Sequence, residues 1–152
     1  MGSYQATVQW SREGANFLDN KYSREHTWIF DGGATVAGSS SPHVVPAPYS
    51  NPAAVDPEEA LIVALASCHM LSFLYVAGKH GFVVDEYRDE ATGKMARNAA
   101  GKNWISEVTL HPKILFSGDK TPDQPEIAAM HHQAHEECFI ANSVKTDVRV
   151  AG

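Results

Sequence analysis

The chain has 152 residues, 43% of them hydrophobic and 20% charged, with a formal charge of −6 at pH 7 and no cluster of lysine or arginine. That length suits a single domain over residues 1–152, with a real core but small enough to gain from oligomerisation. The acidic balance argues against nucleic acid and an anionic membrane surface as partners, and an amino terminus reading MGSYQATVQWSREG has no basic-then-apolar signal, which predicts a cytoplasmic chain.

Tyr4 to Trp10 alternates as a strand does, with Tyr4, Ala6, Val8 and Trp10 on one side. His26–Phe30 and Ala34–Ala37 flank Asp31-Gly32-Gly33, a hairpin signal. Residues 38–55 are rich in Ser, Pro, Gly and Asn and predict an irregular loop, long for a compact domain and of a kind that often carries function. A helix then starts. Asp56 can N-cap it, Pro57 suits its first turn and Glu59 completes a capping box, while Glu58 and Glu59 favour the positive end of the dipole. It runs to Gly78 or Gly81. Phe82–Met95 and Trp104–Phe116 are strand-like, Thr121-Pro122-Asp123 opens a second helix to about Phe139, and Val144–Val150 reads as a last strand. The order βββ-α-ββ-α-β, antiparallel blocks beside two helices, predicts an α+β fold.

The run from Ala60 to Gly78 has no charged residue and approaches the length of a bilayer span. Ser67, Cys68, His69 and Ser72 interrupt it, and it lacks a basic flank and aromatic belts at both ends. It is therefore read as a central helix buried on nearly all sides, which a chain of this size cannot easily cover alone. That favours a dimer and no membrane.

There are two cysteines, Cys68 in this run and Cys138 near the end of the second helix. In a reducing compartment such a pair is more often catalytic, redox-sensing or metal-binding than a structural staple. A buried cysteine packing as a small hydrophobe is the plain alternative. A reactive one needs a cation or a helix end nearby, and Cys68 is mid-helix. Of the five arginines, Arg24 is the one in a turn that could project into a site. Arginine stays protonated and can fork between a thiolate and a carboxylate. Glu58 is the better carboxylate candidate, about 80° around the helix from Cys68, yet ten residues also rise about 15 Å. Either a kink intervenes or a partner subunit completes the site; helix-start electrostatics is the simple alternative.

His131, His135 and Cys138 share one helix face at spacings of four and three, with His132 beside them. With Cys68 or His69 they could offer a weak metal site; a solvated histidine-rich face is the plain reading.

A capped DPEE helix start, a central ALASCHM cysteine and a later helix ending in ECFIANSVKTDV together resemble the OsmC/Ohr family, the osmotically inducible and organic hydroperoxide resistance proteins. The resemblance covers nearly the whole chain. It implies an OsmC-like fold, with antiparallel sheets wrapped around two long central helices in an intertwined homodimer. It also implies a cysteine-based peroxidase reducing organic or fatty-acid hydroperoxides in oxidative-stress defence. By that resemblance Cys68 is the peroxidatic cysteine, Cys138 the resolving one, Glu58 the glutamate that orients the active-site arginine, and Arg24 that arginine. No bound cofactor or metal is implied, only an external dithiol reductant, lipoyl-type in the family. His69 directly after Cys68 and FIANSV after Cys138 depart from the family pattern, and His69 is left without a role. The alternative is a non-catalytic OsmC-like stress protein that binds a small molecule or a metal.

Overall fold

In the computed structural model, which describes residues 1–152, two compact units divide the chain, Met1–Ala60 and Leu61–Gly152. The first is built on an antiparallel sheet of β1 (Ala6–Gln9), β2 (His26–Phe30) and β3 (Thr35–Gly38) in sequential order. The hairpin expected at Asp31-Gly32-Gly33 is there, with Gly33 at φ +95 and its N–H donating to the Phe30 carbonyl at 3.0 Å. β1 is shorter than the alternation predicts, because pairing stops at Gln9 and the Trp10 indole N–H turns to the Ser23 carbonyl at 2.9 Å instead. At the end of β3, the Trp28 indole N–H reaches His26 Nε2 at 2.8 Å, and a Cβ on Gly38 would lie only 2.3 Å from Trp28 Nε1. Glycine is what lets that close approach form.

The loop that follows is tied to itself. Ser39 N–H donates to Val55, Asn51 N–H to Ser39 Oγ, and Ser50 Oγ to Val45, closing an irregular segment that lacks a ladder. Val8, Ile29 and Phe30 stay exposed, so the three-stranded sheet buries little apolar surface of its own.

Helix α1 (Pro57–Lys79) starts as predicted: Glu59 N–H donates to Asp56 Oδ1 at 2.8 Å and Asp56 N–H to Glu59 Oε1 at 3.2 Å. The helix is unbroken. Leu65, His69, Phe73, Val76 and Ala77 are buried at helical spacing along one face. Val63, Leu71 and Tyr75 are 61%, 60% and 69% exposed, so one copy covers one face of the helix only. By length and composition α1 could cross a membrane, yet Phe73, Val76 and Ala77 pack with Phe82, Met130 and Ala134 in the larger core of the second unit. Leu65 joins Val108 and Leu110 in a smaller one.

The two long strands foreseen after α1 are in fact four: β4 (Val83–Asp89), β5 (Thr92–Arg97), β6 (Asn103–Leu110) and β7 (Pro112–Ser117). β4 pairs with β7 in one sheet and β5 with β6 in another. The break has two causes, one local and one distant in sequence. Pro112 has no N–H for a ladder, and the His111 N–H is taken out of it by Asp89 Oδ1 at 2.7 Å. Helix α2 (Gln124–Glu137) has its own reciprocal box between Asp123 and Glu126. β8 (Asp147–Val150) then lies parallel to β6, the one departure from antiparallel pairing among these strands.

Candidate functional site

Seventy residues apart in sequence, the two thiols meet. Cys68 is half-buried in the middle of α1, and Cys138, 1% exposed, forms the C-cap of α2. Their side chains are near enough for one thiol to bear on the other's titration, and both are reduced. The end of α2 explains how Cys138 comes to point there. Its backbone leaves the helix at φ −72, ψ 111, a short 3₁₀ turn follows at Ala141–Ser143, and the Ala141 N–H donates to Cys138 Sγ at 3.4 Å. In the last turn the Glu136 carbonyl accepts from Asn142 Nδ2 and the His135 carbonyl from the Cys138 N–H, while Ser143 Oγ donates to the Phe139 carbonyl just beyond the cap.

The two sulfurs are not equivalent. Burial pushes the Cys138 thiol up, nearby Cys68 adds to this, and the Ala141 N–H works against it. Cys138 is thus the thiol that keeps its proton, out of solvent, while Cys68 is the accessible one.

Beside this pair is a contact that the sequence reading missed. His69 Nε2 and His131 Nδ1 are 2.9 Å apart, the rings stack at 5.2 Å, and Phe73 stacks on His131 at 4.4 Å. His69 is 1% exposed and His131 8%, and His69 Nδ1 is buried without a partner. Both imidazoles are lowered to about 4, His131 by burial and His69 by burial first, with the neighbouring His131 and His135 contributing. The signal was available: His69 falls four residues from both Leu65 and Phe73, on the apolar face of its helix.

Both imidazoles stay neutral in the fold while the unfolded chain takes up protons below about pH 6.5. Stability contributed by the neutral pair is therefore complete above that pH and is lost as pH falls toward 4. A shift of this size is worth up to about 3 kcal/mol per group. Urea midpoints measured between pH 7.5 and 4 should fall steeply for the wild type. They should fall less for a variant with Phe at 69 and Leu at 131.

No three His, Cys, Asp or Glu residues are arranged to hold an ion: His131 is engaged by His69, and His132 pairs with Glu136 at 3.0 Å.

Arg24 and Glu58 both belong to the first unit. The Arg24 guanidinium lies 3.7 Å over the Tyr22 ring, and its Nη1 donates to the carbonyls of Asn20 and Tyr22. Its Nε and Nη2 have no acceptor, and it makes no ion pair with Glu58. Glu58 Oε2 is buried and unpartnered. Arg24 forms one wall of a cleft of about 460 Å³ whose other walls are mainly aromatic: Trp10, Phe17, Tyr22 and His26. Phe17 stacks on Tyr22 at 4.7 Å and Trp10 meets Tyr22 edge-on at 5.6 Å. An apolar cleft with one forked cation suits a ligand with an apolar body and a polar, oxygen-bearing end.

The family described as OsmC-like protein matches residues 50–151. Among solved structures, an OsmC-like protein of unknown function from Vibrio cholerae is 49% identical over 99% of both chains, with a TM-score of 0.96. An organic hydroperoxide resistance protein OsmC from Legionella pneumophila shares the fold at 15% identity and a TM-score of 0.70, covering 100% of this chain and 98% of its own. The organic hydroperoxide resistance protein OhrB of Bacillus subtilis does so at 18% and 0.70, covering 98% and 96%. No curated protein matches the chain.

Proposed function

This chain belongs to the OsmC-like protein family, and on that premise we propose that it is a thiol-dependent peroxidase that reduces organic hydroperoxides in oxidative-stress defence. The observation that carries the reading is the meeting of an accessible Cys68 with a buried, protonated Cys138. In the first step the Cys68 thiolate attacks the distal peroxide oxygen. A sulfur–oxygen bond forms, the O–O bond breaks, and the alkoxide takes a proton and leaves as the alcohol. The Cys138 sulfur then displaces the sulfenic hydroxyl, which departs as water with the thiol proton, leaving a Cys68–Cys138 disulfide. An external dithiol, lipoyl-type by family resemblance, returns both sulfurs to thiols.

Arg24 is proposed to steady the charge on the sulfur and the peroxide, with Glu58 orienting it. α1 is assigned as one uninterrupted helix through Glu58 and Cys68, and of the two routes the sequence left open, completion by a second copy is the one we adopt. The open apolar face of α1 at Val63, Leu71 and Tyr75 and the unpartnered Glu58 Oε2 support a homodimer. A cytoplasmic setting, where thiols stay reduced, fits the cycle.

The test is direct. Fully reduced protein receives one equivalent of an organic hydroperoxide and is weighed intact without reductant. We expect the loss of two hydrogens; an unchanged mass would sink the peroxidase reading and leave a ligand-binding member of the family.

A further inference from the structure

α1 and α2 carry one thiol each, yet almost everything that holds them together is apolar. Phe73, Val76 and Ala77 of α1 pack with Met130 and Ala134 of α2, and such contacts are non-directional. A single side-chain hydrogen bond joins the two helices, His69 Nε2 to His131 Nδ1 at 2.9 Å. Its place matters. His69 is the residue after Cys68, and His131 lies seven residues before Cys138, about two turns away on nearly the same face of α2. A disulfide tolerates little error in the separation and direction of its two carbons. A small slide or roll of one helix on the other would therefore part the sulfurs without disturbing the apolar packing much.

We propose that the His69–His131 hydrogen bond is a positioning device that fixes the register of α1 on α2 and so sets how readily Cys68 and Cys138 form their disulfide. Neither imidazole touches the reacting atoms; both act through the helices. The buried, unpartnered His69 Nδ1 and the stacking of Phe73 on His131 fit this role. Two neutral polar rings kept in a core contribute less stability than apolar side chains of similar size would. What they add is direction.

The proposal rests on the paired-thiol reading of the site, so its test avoids peroxide. The protein is equilibrated with reduced and oxidised glutathione, where two thiols plus one glutathione disulfide give the protein disulfide and two glutathiones. The equilibrium constant is read by acid quench, alkylation and intact mass. Replacing both partners (His69→Phe with His131→Leu) removes the bond without orphaning either group. We expect this variant to melt no lower than the wild type at pH 7.5, while its constant falls about tenfold, the worth of one hydrogen bond in a core. His69→Gln, whose Nε2 can stand in for the imidazole Nε2, should restore the constant to within about threefold of wild type.

Equal constants in the wild type and the folded double variant would overturn the proposal and leave the peroxidase reading intact. Should the double variant not fold, His69→Leu is compared with His69→Gln, and equal constants there overturn it too. A wild-type protein that forms the disulfide with glutathione, loses it tenfold in the variant, yet never consumes hydroperoxide would support the positioning role and sink the peroxidase alone.

Discussion

Cys68→Ser should abolish hydroperoxide turnover, while Cys138→Ser should still oxidise once and then stop. The two replacements differ because the two sulfurs sit differently. Cys68 is reachable from solvent and Cys138 is 1% exposed, its thiol pushed up chiefly by burial. Serine at 68 leaves no sulfur able to reach the peroxide at a useful rate. Turnover should drop to the uncatalysed level, a loss of several orders of magnitude for a nucleophile. Serine at 138 leaves the first step standing, with one alcohol released per chain and a sulfenic acid on Cys68 that no neighbour can capture. A dimedone adduct of one per chain, seen in Cys138→Ser and absent in Cys68→Ser, checks both halves at once. Equal single-turnover rates in wild type and Cys68→Ser would remove Cys68 from the chemistry. Sustained turnover by Cys138→Ser at the wild-type rate, with the same dithiol reductant supplied to both, would show that Cys138 is not the resolving sulfur.

What the sequence made legible follows how local each feature is. The α1 start needed only Asp56, Pro57 and Glu59, and those residues form the box they spell. The second helix opens at Asp123 for the same reason. The strands beyond α1 were merged because apolar and polar residues keep alternating through the corner. What turns the chain is a contact 22 residues apart, His111 N–H to Asp89, which no short window holds. The thiol pair is the extreme case: 70 residues separate Cys68 from Cys138, and only the family resemblance paired them in advance. His69 and His131 look polar by residue type and are instead a buried pair, because each falls on the buried face of its helix, with Leu65 and Phe73 in one case and Met130 and Ala134 in the other. For Arg24 and Glu58 the sequence gives residues of the right chemistry. The first unit supplies a cleft for one and an orphaned carboxylate for the other.

Arg24→Ala should slow the first oxidation of Cys68 by about 10²–10³-fold, as loss of a positioned donor at a developing charge does elsewhere. The side chain is already held for such work. Nη1 is fixed by two backbone carbonyls and the guanidinium plane lies over Tyr22, which leaves Nε and Nη2 with N–H groups to give. Alanine removes both the cation and part of the wall of an aromatic cleft. Lysine restores a charge but not the fork, nor the planar stack on Tyr22, so Arg24→Lys should recover little of the rate. The glutathione equilibrium of the Cys68–Cys138 pair gives the control, because that exchange needs no peroxide-directed cation. A slow single-turnover oxidation with an unchanged disulfide equilibrium would place Arg24 at the peroxide step and nowhere later. Full activity in Arg24→Ala would mean that Cys68 draws its cation from another residue, and that the 460 Å³ cleft serves a ligand other than the hydroperoxide.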